Sequence, residues 1–396
     1  MIIFFWVLIK ETMQDFMLVK NTFFNETRNQ GLDARPLPSG LTTKLKTVKS
    51  VKAVPLTSGI YGQKLSFQVP RQYDNLSQIF IKMTLSAAGD ANPASYLATR
   101  VLKNIYVQGA KTGTLLSNIQ PLYSLVRYDQ LTQTSMQNFL QNCLDPNEDF
   151  EANTVTLYLP LFSFFSDSGV SALPTRSLED LEIIAYTNDD ADLMGLADDL
   201  TDATFEAFFV YYDTPSTKTF KDNNGDNMLY GTVPKLIGTY DTYYEEPLAV
   251  PTGSTEAKIL LRCPEPVFNI CFAVKDPITS DFVNITRFKL TMGREDVVDL
   301  DTRINFTLST KDEVSYVDGS VCCYWFSEER NRQINTGLTV FTDSFAPSYL
   351  TVYFDETTAD SNLYVFYEIR TQIDVNKSGM LTRVPLGSIR YRTPQN

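Results

Sequence analysis

The chain has 396 residues, 43% apolar and 20% charged, with 26 Phe and 21 Tyr. That is enough for two or three domains, with a bias to β structure because aromatics suit a half-buried pleated surface. A net charge of −13 sets the average surface against nucleic-acid phosphates and acidic membranes, and the absence of histidine excludes Ser/His/Asp and Cys/His nucleophiles, histidine bases and His-ligated metals.

The opening run, MIIFFWVLI (Met1–Ile9), is nine residues long, whereas a bilayer span takes ~20. No basic n-region precedes it, as one would in a secretory signal. Two readings stay open: an apolar arm that docks on a partner or membrane, or an upstream extension with Met13 or Met17 as the true start. Lys44, Lys46, Lys49 and Lys52 follow in a polar leader, read first as a solvated arm and second as a reach toward an anionic partner. Residues 1–57 are therefore expected to form an N-terminal arm.

Short runs with period-two alternation come next: KLSFQVP (64–70), QIFIKMTLSA (78–87), RVLKNIYVQG (100–109), TVTLYLPLF (154–162), LEIIAYT (181–187) and TFEAFFVYYD (204–213). Gly, Pro, Asn and Asp clusters separate them, as strands require. Val155, Leu157, Leu159 and Leu161 make one face wholly aliphatic, and that face lies on a core. Within residues 118–144, Leu122, Leu125, Val126 and Leu140 permit helical turns, so one or two helices are expected there.

TPSTKTFKDNNGDN (214–227) has no apolar period and carries turn chemistry, which marks a junction. The first module is expected over 58–216, a linker over 217–240 and the second module over 241–396. The second set of strands includes EAKILLR (256–262), VFNICFAVK (267–275), FVNITRFKLTMG (282–293), SVCCYWFS (320–327), SYLTVYFD (348–355) and NLYVFYEIRTQIDV (362–375). Many short strands and few helices point to two antiparallel sandwiches rather than a parallel α/β plan.

The cysteines, Cys143, Cys263, Cys271, Cys322 and Cys323, are odd in number and lack CxxC spacing. Neither a zinc site nor a disulfide framework is expected, and a reducing compartment is the simpler reading. Cys322 and Cys323 should point to opposite faces of one strand. In the acidic stretch 179–202, Asp190, Asp192, Gly195 and Asp198 partly mimic a calcium loop. Met194 takes a ligand position there and Thr201 stands where the bidentate Glu belongs; a solvated acidic loop is expected. GAKTG (109–113) is too short for a phosphate loop. Glu245/Glu246 and Glu328/Glu329 read as neighbouring surface acids, since glycoside hydrolysis needs carboxylates converging from different segments. The expectation is no catalytic site, no metal, no cofactor and no small-molecule substrate.

LYLPLFSFFSDSGVSALPTRSLEDLEI, from Leu157, sets Pro160, Leu161, Phe162, Phe164, Leu173, Pro174 and Leu178 in the order Pro-Leu-Phe-x-Phe, polar turn, Leu-Pro-x-x-x-Leu. ILLRCPEPVFNICFAV sets Pro264 before an apolar strand, and LYVFYEIRTQIDVNKSGMLTRV ends in a Ser-Gly-Met element with Gly379 and Met380. Together with LSFQVPRQYDNLSQIFIKMTL and VLKNIYVQGAKTGTLLSN, in which Gly109 matches a turn glycine, these pieces resemble the double jelly-roll major capsid proteins of icosahedral DNA viruses, the lineage of the nucleocytoplasmic large DNA viruses, virophages and adenovirus hexons. Asp167 and Ser168 replace that family's usual basic turn residue.

The resemblance implies an all-β chain of two consecutive eight-stranded antiparallel jelly rolls with short helices in loops. It implies a homotrimeric capsomer that tiles an icosahedral shell. The partners would be neighbouring capsomers, minor capsid or penton proteins, and an inner membrane or genome met through the arm. Of Phe164 and Phe165, one would pack in the barrel and the other at a junction, with both in one core as the equal alternative. Loops 179–202 and 311–336 would form outer towers or trimer interlocks. The rival readings are a minor or vertex capsid protein, and a jelly-roll carbohydrate-binding protein or glycosidase.

Overall fold

The computed structural model describes residues 45–72, 75–88, 96–125, 154–163, 165, 173–175, 178–196, 198–213, 219–221, 227–229, 236–244, 246–276, 281–293, 295–301, 314–317, 321–326, 339–341, 347–376 and 378–384. Met1–Ile9, Lys44, residues 126–144 with Cys143, Phe164, Asp167, Ser168, Glu245 and Glu328/Glu329 lie outside them.

Strands β1 (Leu45–Lys52), β2 (Lys64–Gln68), β3 (Asn75–Ala87), β4 (Leu102–Gly109), β5 (Leu115–Ile119), β6 (Thr154–Leu161), β7 (Leu181–Thr187) and β8 (Leu200–Asp213) build the first barrel. Its two sheets run β1-β8-β3-β6 and β2-β7-β4-β5. Strands β9 (Leu236–Tyr244), β10 (Glu256–Leu261), β11 (Cys263–Lys275), β12 (Ile285–Met292), β13 (Glu295–Asp301), β14 (Val321–Trp325), β15 (Ser348–Phe354) and β16 (Ser361–Val375) build the second. The order of these main strands is β9-β16-β11-β14 and β10-β15-β12-β13, which is the first barrel's order with eight added to every strand; shorter strands, among them Val314–Val317, Thr339–Phe341 and Leu381–Val384, extend the first of these sheets. Two copies of one jelly-roll topology therefore follow each other in the chain.

Alternation creates each core. In β3, Ile79, Ile81, Met83 and Leu85 point inward beside Phe205, Ala207, Phe209 and Tyr211 of β8 and Leu157, Leu159 and Leu161 of β6. Tyr211 is fully buried because its hydroxyl donates to Pro70 O at 2.8 Å. In the second barrel the rings of Phe272, Phe288, Tyr324, Phe326, Phe341 and Tyr367 form a continuous series, with neighbouring centroids 5.2–6.1 Å apart. Edge-to-face and tilted pairs of this kind add to the burial of their area. The aromatic excess of the composition thus has a location.

Several sequence expectations change. β1 lies inside the segment read as an arm and pairs with β8 along its whole length, from Leu45↔Asp213 to Lys52↔Glu206. β9 begins at Leu236, inside the segment read as a linker, and pairs with β16. The resemblance makes KLSFQ and QIFIKMTL the family's first paired strands, but they are consecutive strands in opposite sheets. It makes the piece around Pro264 the opening of the second barrel, but that piece forms its second and third strands, β10 and β11. Where helices were expected over 118–144, the described part is the end of β5 and a 3-10 turn, Pro121–Leu125.

The acidic stretch 179–202 is not a solvated loop: β7 and the start of β8 occupy much of it. Its calcium-like spacing has another cause. Asp190 caps the one-turn helix Ala191–Met194 by accepting from Leu193 N at 2.8 Å, and Gly195, at φ 70°, closes it.

Truncating Phe272, which sits midway through the second core, is expected to cost about 3–5 kcal/mol. The Phe272→Ala variant should show this as a lower urea midpoint with the urea dependence unchanged.

Candidate functional site: the joint between the barrels

The sheet β9-β16-β11-β14 serves two cores at once. On one side Ile270, Phe272, Val274, Cys322, Val365 and Tyr367 enter the second barrel's core. On the other, Cys271, Ala273, Val321, Cys323, Trp325 and Phe366 join a cluster continuous with the first barrel's core. Cys322 and Cys323 do face opposite ways. A bulge between Val267 and Asn269 shifts the alternation, so that Phe268 also turns to the joint. Each large apolar side chain buried here is worth about 1.5–3 kcal/mol against exposure.

A buried carboxylate fastens the apolar contact. Glu179 is 2% exposed. Its Oε2 accepts from the backbone N–H of Lys111 and Thr112, both at 3.1 Å, and its Oε1 from Thr112 Oγ1 at 2.6 Å and Leu381 N at 3.0 Å. Its own N–H donates to Gly379 O at 2.9 Å, and Thr114 Oγ1 donates to Leu381 O at 2.9 Å. Three segments far apart in sequence thus meet at one side chain. Burial opposes the ionised form, but the four donors outweigh it and hold the carboxyl below its usual range.

Two turns make this possible. A Cβ on Gly109 would lie 2.6 Å from Glu179 Oε1, 2.7 Å from its Cδ and 2.8 Å from Thr112 Oγ1, so only glycine lets the carboxylate in. After β16 the chain turns at Asn376, whose Oδ1 accepts from Ser378 N, Ser378 Oγ and Met380 N at 2.9, 2.8 and 3.0 Å. Gly379 takes the left-handed conformation, φ 79°, and presents its carbonyl to Glu179.

A second contact lies at the helix Leu97–Val101. Arg100, 4% exposed, reaches Asp281 at 3.6 Å and stacks on Phe282 at 5.4 Å from the ring centre. Tyr96 meets the same ring edge-on at 6.4 Å. Lys275 sits 5.6 Å from the Phe282 ring and 5.3 Å from that of Tyr364. Burial, helped by the charge of Arg100, lowers its amine to about 8.

The residues singled out in the sequence fall around this joint unevenly. Pro160 is buried on the edge strand β6 opposite Phe80, a place where a missing N–H does no harm. Leu161 faces the first core, and Phe162 is buried outside both core clusters. Phe165 is fully buried in the first core, and Phe164 lies outside the described residues. Leu173 and Pro174 pair with Leu76 and Asn75, continuing the sheet past the end of β6. Leu178, fully buried, then anchors the chain one residue before Glu179. Pro264 lies in β11, where β11 pairs irregularly with Thr339–Phe341. Gly379 belongs to the joint; Met380 is 40% exposed beside it. Glu179 was missed because a charged residue in a polar stretch gives no sign of burial, and Arg100 and Lys275 because a charge at the end of an apolar run reads as its solvated terminus.

Glu179→Ala is expected to destabilise the fold by about 3 kcal/mol, since it strands several buried donors. Gly109→Ala should act on the same bonds, so the double variant should lose less than the sum in thermal melts. The depressed Glu179 carboxyl contributes stability that is complete above the unfolded carboxylate range and lost as pH falls through its folded value. Glu179→Gln should therefore remove one component of acid unfolding. Lys275 has the opposite consequence at high pH: because its folded value of about 8 lies below the unfolded one, stability should rise as pH climbs above 8. Lys275→Met should flatten that rise.

Residues 44–207 match the family described as "Major capsid protein N-terminus", a match that begins at the edge of β1. No curated protein matches the sequence. The fold is similar to a quasi-atomic model of the PBCV-1 virus capsid, with a TM-score of 0.66 at 13% identity over 89% of this chain and 99% of that one. It is similar to the Faustovirus major capsid protein, at 0.56 and 8% over 87% and 92%, and to the STIV MCP, at 0.52 and 12% over 82% and 96%. Over residues 44–207 the chain is thus similar to the N-terminal domain of major capsid proteins, and as a whole it has the double jelly-roll fold of the solved structures.

Proposed function

We propose that the protein is the major capsid protein of an icosahedral virion, a structural tile rather than an enzyme, which assembles as a homotrimer of six barrels. The observation that carries this reading is the repeated strand order combined with the way the two barrels meet. Within one chain, the outer face of β9-β16-β11-β14 is covered from the side of the first barrel where β5 runs beside β9. The equivalent face of the first barrel, on β1-β8-β3-β6, carries Val48 at 51% exposure and half-buried Phe80 and Phe208, with Lys52, Lys82 and Glu206 along it.

The strand equivalent to β5 is β13, with Val297 56% exposed among Glu295, Asp296, Asp299 and Asp301. Repeating the internal contact between copies brings the first barrel's open sheet, with Lys52 of β1 and Lys82 of β3 on it, to the acidic β13 side of the next chain. Such a contact is head-to-tail and closes after three copies into a pseudo-hexagonal block. Charge of opposite sign at the two faces favours this register.

Neighbouring capsomers are the partners of such a block, and minor capsid or penton proteins, an inner membrane or the genome would meet it at its margins. Two barrels in one chain argue against the single-barrel plan of a vertex protein. The purified protein is expected to sediment as three copies of the 44.8 kDa chain and to resist dilution. Val48→Asp together with Val297→Asp should yield folded monomers. A wild-type chain that is a stable monomer overturns the reading.

A further inference from the structure

We propose that Cys271 and Cys323 are a latent disulfide site, a thiol pair that a small-molecule or protein disulfide closes between β11 and β14 at the joint. The two residues stand directly opposite each other in the antiparallel register. The type of pair can be read from the ladder. Phe326 N donates to Phe268 O at 3.0 Å, so 268 and 326 are a hydrogen-bonded pair. Counting along the register, 269/325 and 271/323 are non-hydrogen-bonded pairs. Such pairs hold their Cα atoms about 4.5 Å apart and bring side chains closest, within the roughly 4.4–6.8 Å that a disulfide spans.

Both thiols are fully buried and on the same face. Cys322, next in sequence, points into the other core and faces Phe272 in the register. The neighbours of the pair are apolar but for Asn269, whose Oδ1 accepts from Cys271 Sγ at 3.7 Å, and Glu368, which accepts from Asn269 Nδ2 at 2.7 Å.

The reaction is an exchange in which Cys271-SH and Cys323-SH plus RSSR give the Cys271–Cys323 disulfide and two RSH. Two electrons pass to the oxidant, and both thiol protons end on its sulfurs. Burial, followed by the neighbouring Cys323, raises the Cys271 thiol well above its usual range, so the closed barrel presents little thiolate to a reagent. The bond therefore forms while β11 and β14 are paired but the joint is still open, during folding. Once the joint closes, the same burial shields the bond from reductants. A chain folded under reducing conditions keeps two thiols that pack as small apolar groups, and one folded under oxidising conditions carries a staple. This inference concerns one chain and is independent of shell formation.

The test is to unfold the full-length protein in urea and refold it in reduced and oxidised glutathione, with a parallel sample in dithiothreitol. Thiols are counted in denaturant and the chain is digested without reduction for mass spectrometry. The expected result is a fall from five titratable thiols to three, a single linked peptide pair joining Cys271 to Cys323, and a higher melting temperature than the dithiothreitol sample. Cys322→Ser should keep the link. Five free thiols in glutathione-refolded chain of native circular dichroism, or a link to Cys322 or Cys143, would overturn the proposal. Because the mapping is made on the wild-type chain, the outcome does not depend on any variant folding.

Discussion

A sheet that must be apolar on both faces constrains the rest of this molecule. In β11, Phe272 points into one core while Cys271 and Ala273 on either side point into another, and β14 and β16 share the arrangement. An ordinary surface sheet can alternate apolar with polar. Here nearly every position is spoken for, and the runs VFNICFAV and VCCYW follow directly. Without water on either side, any polar group nearby needs a partner in the protein. Glu179 is one such demand, and its four donors show how it is met: the backbone of two turns and one threonine are spent on a single carboxylate.

The same constraint separates what was legible in the sequence from what was not. Strands with one aliphatic face, such as β6 and β3, announce themselves through period two, as do the buried runs of β11 and β16. The strands at the sheet edges do not. β1 reads LKTVKSVK, so its charges suggested a leader, and β13 reads EDVVDLD, a run dominated by acids. What fixes β1 as a strand is a long-range ladder, Leu45 with Asp213, which no local window contains, whereas β13 is held by the hairpin it forms with β12, Met292 opposite Glu295. Edge strands bearing charge are also what a soluble sheet requires to avoid adventitious pairing.

The joint was half legible. The Leu-Pro element leads into Leu178 and Glu179, and the Ser-Gly-Met turn meets Glu179, yet that residue was read as part of a solvated acidic stretch. Leu178, Gly109 and Gly379 each gave a hint, but only the three-dimensional closure of the first barrel on the second assigns Glu179 its donors. Arg100 and Lys275 were hidden in the same way. Arg100 meets Asp281 and Phe282 from the other half of the chain, and Lys275 meets the charge of Arg100.

The covered sheet and its counterpart in the first barrel began with the same topology but now live under different rules. One is walled in on both sides by its own polypeptide. The other has a face that the described residues leave unroofed at Val48. Substitution at the walled sheet is restricted to residues of similar volume whichever way they point, whereas alternate positions of the unroofed one are free to change with whatever lies against them. Over evolutionary time the twin modules should therefore lose their likeness unevenly. A doubled barrel in one gene thus gains what a doubled set of identical subunits lacks, the freedom for one half to hold still while the other adapts.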